Sequence, residues 1–581
     1  MKSFRQRIIP VAVALAVQGG AATHAWGLPV GAQVVHGSAT IAQTGTTLNI
    51  TNSNGAIINW QQFNIDAGQT TRFIQTSASS TVLNRVLASD PSVILGNLTS
   101  NGRVWLVNPA GIFVGQGARI DAAAFVASTL NVTNADFLAN RMKFDDSLGS
   151  VGKLVNQGTI TTPMGGSVYL IGSNVSNSGI ITTPQGETIL AAGSKVELID
   201  SATPGVKVEI TGAAGDVTNL GEITAEAGRI GIAGVAVRNS GKLNASSVIE
   251  EGGRIFLRAT KKIELTASSK VGADGTAGGN ITAIARENGQ ISGELVARGE
   301  ISAQGNGGAG SGGFIETSAA SVDVGGLAVK ASSGEWLIDP YDYTIDATAA
   351  GTIKGALDAG TSVTIDTTNN TAPGAGVAGV GDITVASAIG KAAGGDASLT
   401  LNAHNNINLN ADITSTVGQL NMVFNPDLDS AGGGAVVLGT TTLNANGGTI
   451  NAAGKTVNHS TGTATIDSAI TIGTLNLSGG TLTGSGTITI PNAGTFTWGG
   501  GTLGGAGILN TVQGSTTHLN GGSTYLGAGR TWNNVSQINF APTSHYASLD
   551  IASGATLNNL STGVIDLHTS MVSNSISGSG T

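Results

Sequence analysis

An Asn-x-Gly element recurs between residues 150 and 245, as Asn156-Gln157-Gly158, Asn177-Ser178-Gly179, Asn219-Leu220-Gly221 and Asn239-Ser240-Gly241. The intervals are 21, 42 and 20 residues, the middle one being two periods. Each element follows a valine (Val155, Val175, Val217, Val237) and leads into a stretch such as GTITTP, GIITTP, GEITAE or GKLNAS. A second element answers it, a glycine followed by alternating apolar residues. It reads GSVYL from Gly166, GETIL from Gly186, GRIGI from Gly228 and GRIFL from Gly253, and continues as GNITAIA from Gly279 and GFIET from Gly313. Repetition at this period marks a solenoid, in which each unit buries its apolar face only against its neighbours. The unit is read as two short strands, each opened by a turn, and no segment shows capped 3.6-residue periodicity. Crossover helices are therefore not expected. The predicted fold is all-β, a right-handed parallel β-helix. In that fold the asparagines would stack coil upon coil and bond through their amides. The adjacent glycines would supply turns with positive φ.

Composition agrees with a rod rather than a globule. Charged residues are 11% and aromatics 4%, while 40% of residues are apolar; globular chains carry about 25% charged residues. Disorder would require low hydrophobicity, which is not the case here. The absence of cysteine excludes disulfides and thiol chemistry. A net charge of −9 without a basic stripe gives no footprint for nucleic acid. Residues 1–25 read as a signal peptide: Lys2, Arg5 and Arg7 precede the apolar run Ile8 to Val17, and cleavage falls between Ala25 and Trp26. No later run is long and apolar enough for a membrane helix, so an integral membrane protein is not expected.

The segment after the signal is richer in special residues. Ala56 to Ile65 reads AIINWQQFNI, and Gly102 to Val114 reads GRVWLVNPAGIFV, a strand, a turn and a strand. Pro109 pushes Asn108 into an extended conformation, and Gly111 frees the exit. FVASTLNVTNADF follows from Phe125. These blocks resemble the secretion (haemagglutination-activity) domain of two-partner secretion exoproteins, the filamentous-haemagglutinin-like adhesin family. Asn108-Pro109-Ala110-Gly111-Ile112 resembles that family's Asn-Pro-Asn-Gly-Ile motif, with Ala110 in place of the middle Asn. Asn59, Trp60 and Phe63 carry the INWQ-x-F-x-I block. The family's Asn-Pro-Asn-Leu motif is missing from the stretch before Gly102. That departure points to the branch of high-molecular-weight adhesins and haem-acquisition exoproteins.

The resemblance covers roughly residues 27 to 270. It implies export through the periplasm of a Gram-negative bacterium. Recognition would be by an outer-membrane β-barrel transporter with POTRA domains, and the chain would fold on emergence into a secreted or cell-surface filamentous adhesin with an unidentified receptor. A haem-carrier-capturing exoprotein is the alternative. Residues 108–112, with Asn59, Trp60 and Phe63, are the expected secretion motif, as turn or as partner contact.

The expected organisation is a signal (1–25), a two-partner secretion domain with small extra β elements (26–270), continued β-helix (271–335), a linker WLIDPYDYTI (336–346) and a Gly/Thr/Asn-rich β-repeat passenger (347–581) that is expected to be incomplete. Trp336 and Tyr341 are expected to cover the end of the first stack.

Catalysis, cofactors and metals are not expected. Polysaccharide hydrolases on β-helices need clustered carboxylates, and Asp145-Asp146 stands alone. Asp339, Asp342 and Asp346 match no calcium-loop pattern.

Overall fold

The computed structural model describes residues 27–149, 152–201, 205–211, 215–307, 311–369, 380–430, 433–540, 546–567 and 574–581. Ala25 and Trp26 lie outside them. Each coil is built from three short strands rather than the two read from the repeat. In one coil these are Leu154–Asn156, Thr159–Thr161 and Ser167–Gly172. The next coil repeats them as Val175–Asn177, Ile180–Thr182 and Glu187–Ala192, all three pairing in parallel with their predecessors. The missed strand is the one that ends in the Asn of each Asn-x-Gly, such as Leu154–Asn156 and Val175–Asn177, only three residues long. That is too short for alternation to reveal it.

Registration between coils is strict. Inward residues fall in columns, one of which runs without a break through most of the chain. It passes from Ala56 through Val82, Val104, Phe125 and Val168. It continues through Ile230, Ile255, Ile281 and Ile315 to Trp336, Val363 and Leu399, and ends at Trp532 and Leu557. Neighbouring strands lie about 4.8 Å apart, so this column extends on the order of 90 Å.

The asparagine ladder forms as the repeat implies. Asn156 Nδ2 donates to Asn177 Oδ1, Asn177 Nδ2 to Asn219 Oδ1 and Asn219 Nδ2 to Asn239 Oδ1, each at 2.8 Å. Asn239 Nδ2 ends the run on Ser269 Oγ at 2.6 Å. All four amides are fully buried. The glycines beside them serve another purpose than expected. None adopts positive φ; instead a Cβ at Gly179, Gly221 or Gly241 would sit 2.1, 2.1 or 2.0 Å from the glycine carbonyl of the coil below. Glycine is required because two backbones meet there.

The two ends of the first stretch differ from its body. At the start, Gln33–His36 pairs antiparallel with Ala56–Trp60, and Ala39–Thr44 folds back on Thr47–Asn52. Thr47–Asn52 then pairs in parallel with Thr70–Ile74, so this hairpin covers the first coil and starts the third sheet. That sheet proceeds for twelve strands to Leu327–Lys330, crossing residues 270 and 271 within the strand Lys270–Gly272. It resumes as a nine-stranded sheet at Ile389–Lys391.

Between the two sheets stands a helix that the sequence reading did not expect. Helix α1, Asn134–Leu138, is a single turn; α2, Ala347–Asp358, is the long one. Asp346 caps α2, its side chain accepting from the backbone of Thr348 and Ala349. Ala349, Ala350, Ile353, Ala356 and Leu357 face inward. Thr352 Oγ1 donates to Val324 O (3.1 Å), and Asp358 Oδ1 accepts from Ala392 N (2.7 Å) and Ala393 N (3.0 Å). Thus α2 takes the place of a third strand and is tied to the coils on both sides.

Residues 336–346 are not a linker. Glu335–Asp339 pairs with Phe314–Ser318 and Ser362–Asp366, and Tyr343–Ile345 pairs with Ile383–Val385. Nor do the aromatics cover an end. Trp336 lies in the lumen, donating to Thr317 Oγ1 at 3.1 Å, and the buried Tyr341 hydroxyl donates to Ile291 O at 2.6 Å.

Replacing Asn177 by Ala removes both its ladder bonds and strands Asn156 and Asn219 in the interior. Each orphaned polar group costs about 1–3 kcal/mol, so urea unfolding should show a loss of about 3 kcal/mol, against little change for Ser178→Ala.

Candidate functional site

The secretion-motif residues lie at coil corners near the start of the rod. Arg103–Val107 runs into Asn108, and Ile112–Val114 leaves the turn. Asn108 is wholly buried. Its Nδ2 donates to Asp90 O and to Ser92 Oγ, both at 3.0 Å, and its Oδ1 accepts from Ala110 N at 3.0 Å. Ser92 N donates to Gly111 O (2.9 Å), Gly152 N to Pro109 O (3.1 Å) and Ile112 N to Lys153 O (3.1 Å). Gly111 adopts φ +130°, and a Cβ there would meet Lys153 O at 3.3 Å. Pro109 and Ala110 are half-buried. The corner therefore fastens three successive coils.

The other block reaches the same place from the coil below. Asn64 Oδ1 accepts from Val93 N at 2.8 Å. Asn64 and Asn108 thus hold residues 90–93 from two sides. Trp60 and Phe63 are buried and meet edge to face at 5.6 Å. Trp60 Nε1 donates to Asn84 Oδ1 (3.0 Å), whose Nδ2 donates to Trp105 O (3.2 Å). Asn59 is half-buried, on the strand covered by Gln33–His36. Asn84, Asp90 and Ser92 were missed. They lie 16 to 24 residues from their partners, and no local pattern announces them.

The extra β elements are a three-stranded antiparallel sheet of Met142–Asp145, Lys195–Ser201 and Gly205–Thr211. With α1 it covers an outer face of the rod. A second apolar core fills the space between, including Ile57, Trp105, Val126, Ile189, Phe137 and Phe144. Trp105 meets Phe137 at 5.2 Å and Phe144 at 5.8 Å. Arg85 ties α1 to the rod through Asn134 Oδ1 (2.9 Å) and Val132 O (2.7 Å), and burial lowers its pKa. A cleft beside this sheet holds Arg103, Arg229, Lys143 and Glu187. Glu187 accepts from the Tyr169 hydroxyl at 2.6 Å and pairs with Arg229 at 3.1 Å. Burial, then the Glu187 charge, pushes the Tyr169 pKa up.

The three acids near the expected linker separate into three tasks. Asp342 Oδ1 accepts from the N–H groups of Val380, Gly381 and Asp382 at 2.7–3.1 Å. Asp346 caps α2, and its backbone bond from Ala349 holds its carboxyl below the usual range. Asp339 is 3% exposed, accepts from Asn369 Nδ2 at 2.7 Å and leaves Oδ1 without a partner. Among the described residues no three acidic or histidine side chains are grouped to hold a metal ion.

The region thus combines a parallel β-helix, an extra-helical sheet and a buried Asn-Pro corner. Residues 26–283 match the family model described as the TPS secretion domain, so the chain carries the secretion domain of two-partner secretion exoproteins. Two curated proteins of Haemophilus influenzae, each called Heme/hemopexin-binding protein, are 31% identical over 160 residues and 30% identical over 144 residues. These matches cover 27% and 24% of this chain, and only 18% and 15% of the relatives' own length. Among solved structures, the HMW1 secretion domain from Haemophilus influenzae is similar at 27% identity and a TM-score of 0.48, covering 71% of this chain and 98% of that one. A filamentous hemagglutinin secretion domain matches at 18% identity and a TM-score of 0.29, over 51% of this chain and 98% of that one.

Asp339 gives a pH test of the stack. Burial, aided by Asp366 and Glu316, pushes its pKa up to about 7. The folded form then binds a proton more tightly than the unfolded chain, whose aspartates titrate near 3.9. Its contribution is most favourable below about pH 4, declines as pH rises to 7 and is flat above. Asp339→Asn should flatten that decline and raise stability at pH 8, as read from urea midpoints across pH.

Proposed function

We propose that this chain is a two-partner secretion exoprotein that reaches the surface of a Gram-negative cell as a filamentous adhesin. Its residues 26–283 address an outer-membrane β-barrel transporter with POTRA domains and then serve as the first folded coils. The observation that carries this reading is the unbroken column of parallel pairing from the secretion domain through Trp336 and Val363 into the distal coils. Each emerging strand finds an edge already made, so folding proceeds outside the cell without ATP. The rod presents surface, and no reaction is assigned to it.

Asn108, Pro109, Ala110, Gly111 and Ile112, with Asn59, Trp60 and Phe63, are assigned to building that template. The burial of Asn108 and its three bonds support positioning over direct contact with the transporter. A second reading, capture of a haem carrier, is favoured by the name of the curated relatives, Heme/hemopexin-binding protein.

Full-length chain expressed with its cognate transporter should appear at the surface or in the medium, and a chain lacking residues 26–283 should stay in the periplasm. Equal export of both overturns the reading. Asn108→Ala should lower export and, in the purified protein, protease resistance together. Lost export at unchanged protease resistance would instead make Asn108 a direct contact. Adherence lost on deletion of the gene favours the adhesin, and hemopexin binding the alternative.

A further inference from the structure

Aromatic side chains are scarce in this chain, and nearly all are spent on packing. Among the described residues only Tyr525 and Tyr546 are exposed, each at 47%. Both line one shallow groove of about 520 Å³ on the nine-stranded sheet, with Ser523, Ser548, Asp550, Ser575 and Ser577. Register fixes their arrangement. Ser523 stands beside Ser548, Tyr525 beside Asp550, and the next coil brings Ser575 and Ser577 alongside Ser548 and Asp550. Tyr546 lies four residues before Asp550, one coil from Tyr525. With about 4.8 Å between coils and about 3.4 Å per residue, the two tyrosines are on the order of 14 Å apart, with hydroxyls between them.

We propose that this groove binds a neutral glycan chain of pyranose rings. The C–H face of a sugar ring is apolar and flat, and covers an exposed phenol ring without leaving a polar group unpaired. Its equatorial hydroxyls need donors and acceptors placed at intervals, which the serine rows and Asp550 provide. The separation of the tyrosines, mostly along the strand direction, suits an oligosaccharide lying along two neighbouring coils rather than a single ring. An open groove admits a chain from the side, with no end required. Charge selects within the class: Asp550 sits in the groove, the chain carries −9 overall, and sulfated or carboxylated glycans are repelled. A flat protein partner would want an apolar centre, whereas this groove is bordered by serines.

The proposal rests on the adhesive reading and supplies its ligand class. Purified full-length chain is titrated with cellohexaose and chitohexaose, using a heparin hexasaccharide as the charged comparator. One or both neutral hexasaccharides should bind and the heparin fragment should not. Tyr525→Ala and Tyr546→Ala should each weaken binding by about tenfold or more, and Tyr525→Phe should retain most of it. These side chains are exposed, so circular dichroism and urea midpoints should not move. Absence of binding to both neutral sugars, or binding unchanged by both alanine variants, overturns the proposal. Adherence of cells separates the two readings. Adherence that needs the chain but not the tyrosines removes the groove and keeps the adhesin; sugar binding through the tyrosines without chain-dependent adherence does the reverse.

Discussion

Coil-to-coil register is the constraint on which everything else in this molecule depends. Every inward side chain sits on the one a coil below, so a single misfit would propagate along a column. The stretch Ile230, Ile255, Ile281 and Ile315 answers with the same side chain at four successive levels. Where backbones turn against one another, glycine repeats because a methyl would sit about 2 Å from a carbonyl oxygen. Along the ladder the enclosed asparagine repeats as well, since an amide above and an amide below satisfy one another. Low charge and few aromatics then follow from geometry, not from any separate demand on composition.

Legibility in the sequence followed the same logic. The asparagine ladder was readable because it is strictly periodic and each member does the same thing. Its glycines were readable as positions but not as reasons, since a close approach between coils leaves no local trace. The third strand escaped notice because three residues carry no alternation. Helix α2 escaped because Gly351 and Gly355 stand on its outer side and dilute a pattern that Ala349, Ile353, Ala356 and Leu357 otherwise display. The secretion motif was visible as a turn. That Asn108 and Asn64 grip the same short segment was not, because the grip runs through residues of another coil.

Charges enclosed in the distal coils show how such a lumen handles an exception. Lys391 is fully buried, and its ammonium donates to Ala393 O at 2.7 Å and Val417 O at 2.5 Å. Arg530, also fully buried, donates from Nε to Gly504 O at 2.9 Å, and burial lowers its pKa to about 10. Backbone carbonyls at the corners solvate both cations. A β-helix has such carbonyls at every bend, so it can enclose a cation that a sandwich core would reject.

The replacement of one strand by α2 has a mechanical meaning. A filament held at one end and pulled at the other transmits force through its hydrogen-bonded rows. Over most of the rod the third row shares the load, but between Lys330 and Ile389 that row gives way to a helix tied by a few side-chain bonds. Stiffness there is lopsided: two sides resist extension as before, and the third yields. The side occupied by α2 is therefore the more compliant one at this level, because a dozen helical residues stand there in place of a row of paired strands.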